Sequence, residues 1–146
     1  MQMMQEEFNT LLEKHHLKKT GPRLSVLSVL RSRDMATSQP ELEEILGKEI
    51  DRVTLYRVLS TFEEKGIIHK VLDLKGTANY AICSAKCNEH EHHDEHVHFN
   101  CTDCNHIYCL DGHVHLPEIS VPKGFKSTSV NLSVYGVCSK CNKKAE

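Results

Sequence analysis

The sequence has no tryptophan, only 5% aromatic residues and no long run of apolar residues. With so few large apolar side chains any core is modest, and 146 residues suit one ordinary domain or two small ones. No segment approaches the roughly 20 apolar residues that cross a membrane. The first residues also lack a basic start followed by an apolar stretch. We therefore expect no signal peptide and predict a cytoplasmic protein.

Net charge is also small. The formal charge is −2 at pH 7, and residues 1–72 contain eleven acidic and eleven basic residues. Bulk charge therefore gives no support for nucleic-acid binding. Any contact with DNA must come from the local placement of a few side chains.

Cysteine and histidine are abundant, with seven and eleven residues. The odd cysteine count and the pairs Cys101/Cys104 and Cys138/Cys141 favour metal ligation in a reducing compartment over disulfides. Two Cys-x-x-Cys turns supply the four thiolates of a structural zinc site. A labile disulfide or a thioredoxin-like redox pair is the alternative, although neither pair opens a helix after a strand. Because 33 residues separate the inner cysteines, we predict two knuckles within one folded domain.

Apolar residues at helical spacing predict four helices in the first half of the chain. The first covers residues 5–16, and the others begin after residues that are typical N-caps. In chain order these caps are Thr20, Ser38 and Asp51, and the last two helices end at Gly47 and Gly66. The residues predicted to be buried are Phe8, Leu11 and Leu12, then Leu24, Leu27, Val29 and Leu30, then Leu42, Ile45 and Leu46, and finally Leu55, Val58, Leu59 and Phe62.

A β-hairpin is predicted at residues 67–72 and 79–82. Helices followed by a hairpin form a winged helix-turn-helix, in which the helix before the hairpin reads the major groove. On that helix Tyr56 and Arg57 lie off the apolar face, where they could contact guanine edges, phosphates or thymine methyl groups. A solvated helix face with a half-buried tyrosine is the alternative interpretation.

The pattern changes near residue 83. Residues 84–95 are polar and rich in histidine and acid, which predicts a hinge loop. From residue 96 the segments HVHFNC, HIYCL and KSTSVNLSVYGVC read as strands. The predicted fold is therefore α+β, with a winged-helix domain at 1–83 and a small, strand-rich domain at 96–146 that the cysteine-held zinc stabilises.

A second metal site is predicted at the hinge. His96 and His98 share one face of a strand, while Val97, Phe99 and Cys101 face the core. His69 and Cys83 lie on the two hairpin strands that lead to the same hinge, so His69, Cys83, His96 and His98 form a candidate zinc site. Cys87, Cys109 and the loop histidines compete for this role. Alternatively, Cys109 is a small buried apolar residue, and the histidines form a solvated His-rich run.

The segments TGPR, VTLYRVLSTFEEKGII, HVHFNCTDC and LSVYGVCSKC resemble, in this order over about residues 8–142, the ferric uptake regulator (Fur) family of bacterial metal-dependent repressors. The resemblance implies a homodimer that binds double-stranded operator DNA, with the C-terminal domain serving dimerisation and holding the zinc. It also implies that Tyr56 and Arg57, in the segment that starts at Thr54, contact the operator. Lys18, Lys19 and Arg23 look like the family's contacts to the DNA backbone and minor groove.

Within the family the chain is most similar to the zinc uptake regulator (Zur) branch, which builds its sensing site from a wing residue, a cysteine and a His-x-His pair. Cys83 follows the wing's Tyr80 by three residues, as in that branch. Iron-type and peroxide-type members use a histidine near the third helix, where this chain has Ala36 and Thr37. Iron-type members also use an acid where this chain has Cys109. Replacing oxygen ligands by thiolate favours Zn²⁺ over Fe²⁺ or Mn²⁺.

The resulting hypothesis is a zinc-responsive transcriptional repressor that is not an enzyme and that binds palindromic operator DNA as a dimer. An iron, manganese or peroxide sensor of the same family is the alternative. A cytosolic metal-buffering protein is a further one. A zinc hydrolase or deaminase is disfavoured because no glutamate has the His-Glu-x-x-His relation to a ligand pair.

Overall fold

The protein's computed structural model describes residues 2–82, 96–110, 119–127 and 131–143, without the side chains at 2, 3, 96 and 131. The predicted α+β fold is confirmed. The elements in chain order are α1 (Gln2–Lys14), α2 (Gly21–Arg31), β1 (Thr37–Ser38), α3 (Gln39–Leu46), α4 (Arg52–Glu64), β2 (Ile68–Leu72), β3 (Ala78–Ile82), β4 (His96–Cys101), β5 (Ile107–Cys109) and β6 (Asn131–Gly136). Within the described residues, no helix is long and apolar enough to span a membrane.

Three helices begin at the predicted caps. The Thr20 hydroxyl accepts the Arg23 backbone N–H, and the Ser38 hydroxyl accepts that of Glu41. The Asp51 carboxylate accepts the Thr54 backbone N–H at 3.1 Å. Each cap satisfies a donor that the first helical turn leaves unpaired, which stabilises a helix by about 1 kcal/mol.

Two helix ends differ from the predicted ones in position or cause. α1 ends at Lys14, two residues early, and His16 follows with a left-handed φ of 58°. Gly47 does follow α3, but its φ of −62° is right-handed, so it is not the left-handed cap that glycine usually supplies. A Cβ at Gly47 would lie 2.4 Å from the Glu43 carbonyl oxygen. Glycine is therefore needed there for close approach. Gly66, with φ 76°, ends α4 as predicted.

The wing is a three-stranded antiparallel sheet in the order β1-β3-β2. The predicted hairpin is confirmed, with His69 opposite Ala81. β1 was not predicted, because two residues are too few to show a strand period. At the wing turn, the Asp73 carboxylate accepts the backbone N–H groups of Lys75 and Thr77, both at 2.9 Å.

The main core lies between the helices and β2. All four apolar positions predicted on α4 are buried, with Phe62 fully inaccessible. On α2 the buried residues include Val26, which was not predicted, whereas Leu24 and Val29 are only partly buried. The prediction for Ile45 on α3 is wrong, since this side chain is 50% exposed.

The second sheet has the order β5-β4-β6, with β4 antiparallel to β5 and parallel to β6. The central strand β4 is buried on both faces, since Val97 and Cys101 on one side and His98 and Asn100 on the other are all at most 7% exposed. Phe99 is only partly buried. Of the segment predicted as the last strand, residues 131–136 form β6.

The two sheets meet beside β1 and β5. The Ala36 backbone N–H donates to the Ile107 carbonyl oxygen at 2.7 Å. The ammonium group of Lys140, in the second cysteine knuckle, lies 3.7 Å from the Asp34 carboxylate. The winged helix and the cysteine-rich sheet are therefore in direct contact, which places residues from both at one site.

Phe62→Ala should lower the free energy of unfolding by about 3–5 kcal/mol, since it leaves a cavity in the main core. Urea denaturation followed by circular dichroism measures this change. Val53→Ala, on the same helix at a residue that is 56% exposed, is the control and should change stability by about 0.5 kcal/mol or less. Equal effects of the two substitutions would contradict this assignment of the core.

Candidate metal centres and DNA-binding face

Four cysteines converge at the end of the second sheet. Cys101 is the last residue of β4, Cys104 lies in the turn after it, and Cys138 and Cys141 form the C-terminal knuckle. The turns close through hydrogen bonds to the carbonyl oxygens of Cys101, from Asn105 at 2.9 Å, and of Cys138, from Cys141 at 3.1 Å. All four sulfur atoms lie within 4.8 Å of one another.

Backbone donors favour thiolates in this cluster. The Cys101 sulfur accepts the N–H groups of Cys104 at 3.5 Å and Cys138 at 3.3 Å, and these bonds lower the Cys101 pKa to about 6. Since this value lies below that of an unfolded thiol, the stabilisation is complete above the unfolded pKa and is lost as pH falls through about 6. Burial opposes ionisation of Cys138, yet hydrogen bonds from the Cys141 N–H, the Cys141 thiol and the Tyr108 hydroxyl lower its pKa overall.

The pKa values of the other two thiols, those of Cys104 and Cys141, are raised. Hydrogen bonding to Cys138 and burial raise the pKa of Cys141 to about 12, and burial is the main cause of the raised pKa of Cys104. Four sulfurs this close cannot all ionise without a cation, because like charges repel. A divalent ion removes that conflict, and four convergent thiolates match the tetrahedral sulfur set that zinc prefers. The residues therefore fit zinc.

A second cluster lies where the two sheets meet. It consists of His69 on β2, His98 on β4 and Cys109 on β5, whose possible ligand atoms lie within 4.8 Å of one another. His69 Nε2 is 3.3 Å from the Cys109 sulfur, and the two imidazole rings are 5.2 Å apart between centroids. Both histidines are at most 4% exposed. Two imidazoles and a thiol so arranged suit a soft divalent metal, or a buried His–Cys hydrogen bond without one.

Two of the four residues predicted for the second site belong to this cluster. The structure brings His69 and His98 together, while the Cys83 and Cys87 predictions and the hinge loop at 84–95 lie outside the described residues. His96 begins β4, but its side chain is also outside them. Cys109, which the sequence offered either as a competing ligand or as a small buried apolar residue, is partly buried and lies beside His69. The missing signal was strand pairing, because β4 and β5 set Cys109 directly opposite His98.

The candidate DNA contacts lie on α4, at the start of α2 and in the segment before α2. Arg57 and Tyr56 are exposed on this helix and Thr54 is partly exposed, as their position off the apolar face predicted. Lys18 and Lys19 are exposed in the segment before α2. Arg23 is partly buried, and its guanidinium donates to the Lys18 carbonyl oxygen at 2.7 Å. This bond fixes the segment that presents the two lysines.

One acidic residue on this surface was not singled out from the sequence. Glu43 on α3 accepts hydrogen bonds from the Tyr56 hydroxyl at 2.7 Å and from Arg52 Nε at 3.1 Å. The Gln39 amide donates to the same Tyr56 hydroxyl. Hydrogen bonds from Arg52 and Tyr56 lower the pKa of Glu43, so the carboxylate remains ionised at neutral pH.

The sequence profile of the Ferric uptake regulator family matches residues 14–135, most of the chain. The chain belongs to the ferric uptake regulator family. Similar proteins include the Ferric uptake regulation protein of Neisseria meningitidis serogroup A, 31% identical over 147 residues, with 97% of this chain and 99% of that protein covered. The protein of the same name from Escherichia coli K12 is 32% identical over 138 residues, covering 90% and 88%. Members of this family are metal-dependent transcription regulators and not enzymes.

Solved structures agree in fold. The Vibrio cholerae ferric uptake regulator superposes with a TM-score of 0.60 at 26% identity, covering 89% of this chain and 98% of that one. A zinc uptake regulator in complex with zinc and DNA gives 0.68 at 19% identity, covering 96% and 93%. These likenesses establish for the Fur-family chain a winged helix followed by a second, sheet-containing domain.

Cys104→Ser should release the ion of the four-cysteine cluster, because a hydroxyl does not ionise to replace the thiolate. We expect the zinc content of dialysed protein to fall by one ion per chain and the thermal midpoint to drop. Elemental analysis and calorimetry measure these quantities. Ser139→Ala, in the second knuckle but without a ligand atom in the cluster, should keep the ion. Unchanged zinc in Cys104→Ser would contradict the assignment.

Proposed function

We propose that this Fur-family protein is a zinc-responsive transcriptional repressor that binds palindromic operator DNA as a homodimer. The observation that carries the proposal is the cluster of His69, His98 and Cys109. Its first residue belongs to the winged helix and the other two to the second sheet. A ligand held there contacts both parts of the protein at once.

The donor set supports zinc as the regulatory metal. Two imidazoles and one thiolate are softer than the carboxylate-rich sets that suit manganese and iron, and zinc accepts mixed nitrogen and sulfur ligands. A fourth ligand completes the tetrahedron, and the predicted Cys83 and His96 are the candidates. The four-cysteine cluster is the proposed structural zinc site, formed by Cys101, Cys104, Cys138 and Cys141.

An iron or manganese sensor is the second candidate. The names of the similar proteins in Neisseria and Escherichia coli favour it, since both are ferric uptake regulation proteins at 31% and 32% identity. The thiol of Cys109 argues against it for this chain, because a thiolate at a third ligand position disfavours Fe²⁺ and Mn²⁺ relative to Zn²⁺.

Switching follows from where the cluster lies. His69 reaches Cys109 and His98 only while the two sheets are in contact. Metal at this cluster therefore favours the closed arrangement, and it shifts the equilibrium only by its difference in affinity for the closed and open states. Closure sets the position of each α4 relative to the second sheet. In a dimer that position determines whether two recognition helices match successive major grooves.

Dimer formation is supported by the edge of the second sheet. β6 is an outer strand of the described sheet, and it exposes Leu132, Val134 and Tyr135, each 39% or more. An apolar strand edge invites pairing with another strand, and a second copy of this chain offers the same edge. The proposed DNA contacts are Lys18, Lys19, Arg23, Thr54, Tyr56 and Arg57.

Zinc added to protein that retains only its cysteine-held ion should raise operator affinity by about 5–150-fold, the usual range of allosteric coupling. Fluorescence anisotropy with an operator duplex, selected from a random library by the zinc-loaded protein, measures it. His98→Ala should abolish the response but keep the cysteine-held ion. Wild-type affinity that does not change with zinc would remove the sensor while leaving DNA binding intact.

Cys109→Asp should lower zinc affinity by about tenfold or more and raise the affinity for Mn²⁺ relative to Zn²⁺, because a hard carboxylate replaces a soft thiolate. Competition titration with a chelating indicator measures both constants. If the metal preference of Cys109→Asp equals that of wild type, Cys109 is not a ligand.

A further inference from the structure

An anionic side chain sits among the residues proposed to meet DNA. Both oxygens of the Glu43 carboxylate accept hydrogen bonds from Arg52, one from Nε at 3.1 Å and the other from Nη2 at 3.4 Å. The carboxylate is 28% exposed and Arg52 is 70% exposed, so the pair lies at the surface. An uncompensated carboxylate next to the phosphates of DNA is unfavourable. The carboxylate therefore weakens DNA binding unless its contacts with Arg52 and Tyr56 contribute to recognition.

The Tyr56 hydroxyl already makes hydrogen bonds within the protein. It donates its single hydrogen to Glu43 at 2.7 Å, and its oxygen accepts the Gln39 amide. It therefore cannot donate to the acceptor atoms that guanine, adenine and thymine present in the major groove. Arg52 lies 5.8 Å from the ring centroid, within cation–π range. The aromatic ring packs well against a thymine methyl group, so it is the part of Tyr56 that can distinguish one base from another.

The positive charge of Arg52 is already paired with the Glu43 carboxylate. A bidentate carboxylate partner neutralises the guanidinium and holds its planar group in one orientation. While that pair persists, Arg52 adds little to the sequence-independent attraction of phosphates. Arg57, on the same helix, has no such bidentate partner among the described residues and stays available to DNA.

We infer that Glu43 is a positioning residue for DNA recognition, which withholds Arg52 from phosphates and orients Tyr56 so that its ring, and not its hydroxyl, meets the bases. The inference rests on the proposed function only in taking α4 as the reading helix. Glu43 thereby lowers the affinity for DNA of any sequence and increases the discrimination between DNA sequences. Removing it should make the protein bind DNA more tightly and less selectively.

Glu43→Gln tests the charge, since an amide oxygen can still accept the Tyr56 hydroxyl but no longer neutralises Arg52. With zinc-loaded protein, affinities for the selected operator and for a scrambled duplex are measured between about 50 and 200 mM salt. We expect tighter binding to the scrambled duplex and about a tenfold loss of the specificity ratio. The salt dependence, log K against log salt, should steepen by about 0.9 for each Arg52 released. An unchanged slope overturns the proposal.

Glu44→Gln is the matched control. It removes the same charge from the same helix at an exposed residue that, within the described part of the chain, makes no hydrogen bond or ion pair with α4. If it steepens the slope as much as Glu43→Gln, the effect is one of net charge and the proposal is wrong. Adding Arg52→Ala to Glu43→Gln should return the slope to the wild-type value, which a purely structural role of Glu43 would not produce.

Tyr56 provides a second, independent arm. Tyr56→Phe keeps the ring but loses the hydrogen bond to Glu43 that orients it, so it should lose part of the operator discrimination, whereas Tyr56→Ala should lose all of it. Equal losses would show that the ring contributes no discrimination of its own and would overturn the proposal. Thermal melts of each variant establish that it is folded. If wild-type protein does not distinguish the two duplexes, the proposed function fails; if it does and Glu43→Gln behaves identically, only the role of Glu43 fails.

Discussion

The contact between the two sheets includes a backbone hydrogen bond from the Ala36 N–H to the Ile107 carbonyl oxygen at 2.7 Å. The contact matters because His69 and Cys109 lie on different sheets and approach to 3.3 Å only when the sheets meet. One such bond contributes only about 1 kcal/mol net, and the exposed Lys140–Asp34 pair adds little. A ligand held by residues of both sheets adds to these bonds and shifts the equilibrium towards the arrangement in which the sheets are in contact.

The two sulfur-containing clusters differ in the way their donors are held. The four cysteines lie on two short turns with their own backbone hydrogen bonds, and two N–H groups already favour the Cys101 thiolate. Such a site persists whatever the winged helix does. The His69, His98 and Cys109 cluster draws on three strands from two sheets, so its geometry depends on their docking. This difference is the physical basis for the proposal that one ion is permanent and the other regulatory.

Charge on the proposed DNA face is arranged locally, in keeping with a net charge of only −2. Arg23 is tied to the Lys18 carbonyl and Arg52 to Glu43, which orders both the segment before α2 and the start of α4. Cations that are already oriented lose less conformational entropy when they meet phosphates or bases. The proposed selectivity for DNA therefore depends on which side chains are restrained as much as on how many are basic.

Local rules were sufficient for the helices, the hairpin and the knuckles: Thr20, Ser38 and Asp51 cap their helices because a short polar side chain reaches the unpaired N–H groups next to it. Spacing alone also paired Cys101 with Cys104. Spacing could not place Cys109, since its neighbours His69 and His98 depend on strand pairing and on the contact between sheets. Nor could it show Glu43 bound to Tyr56, thirteen residues away, because helix packing and not sequence distance brings the two together.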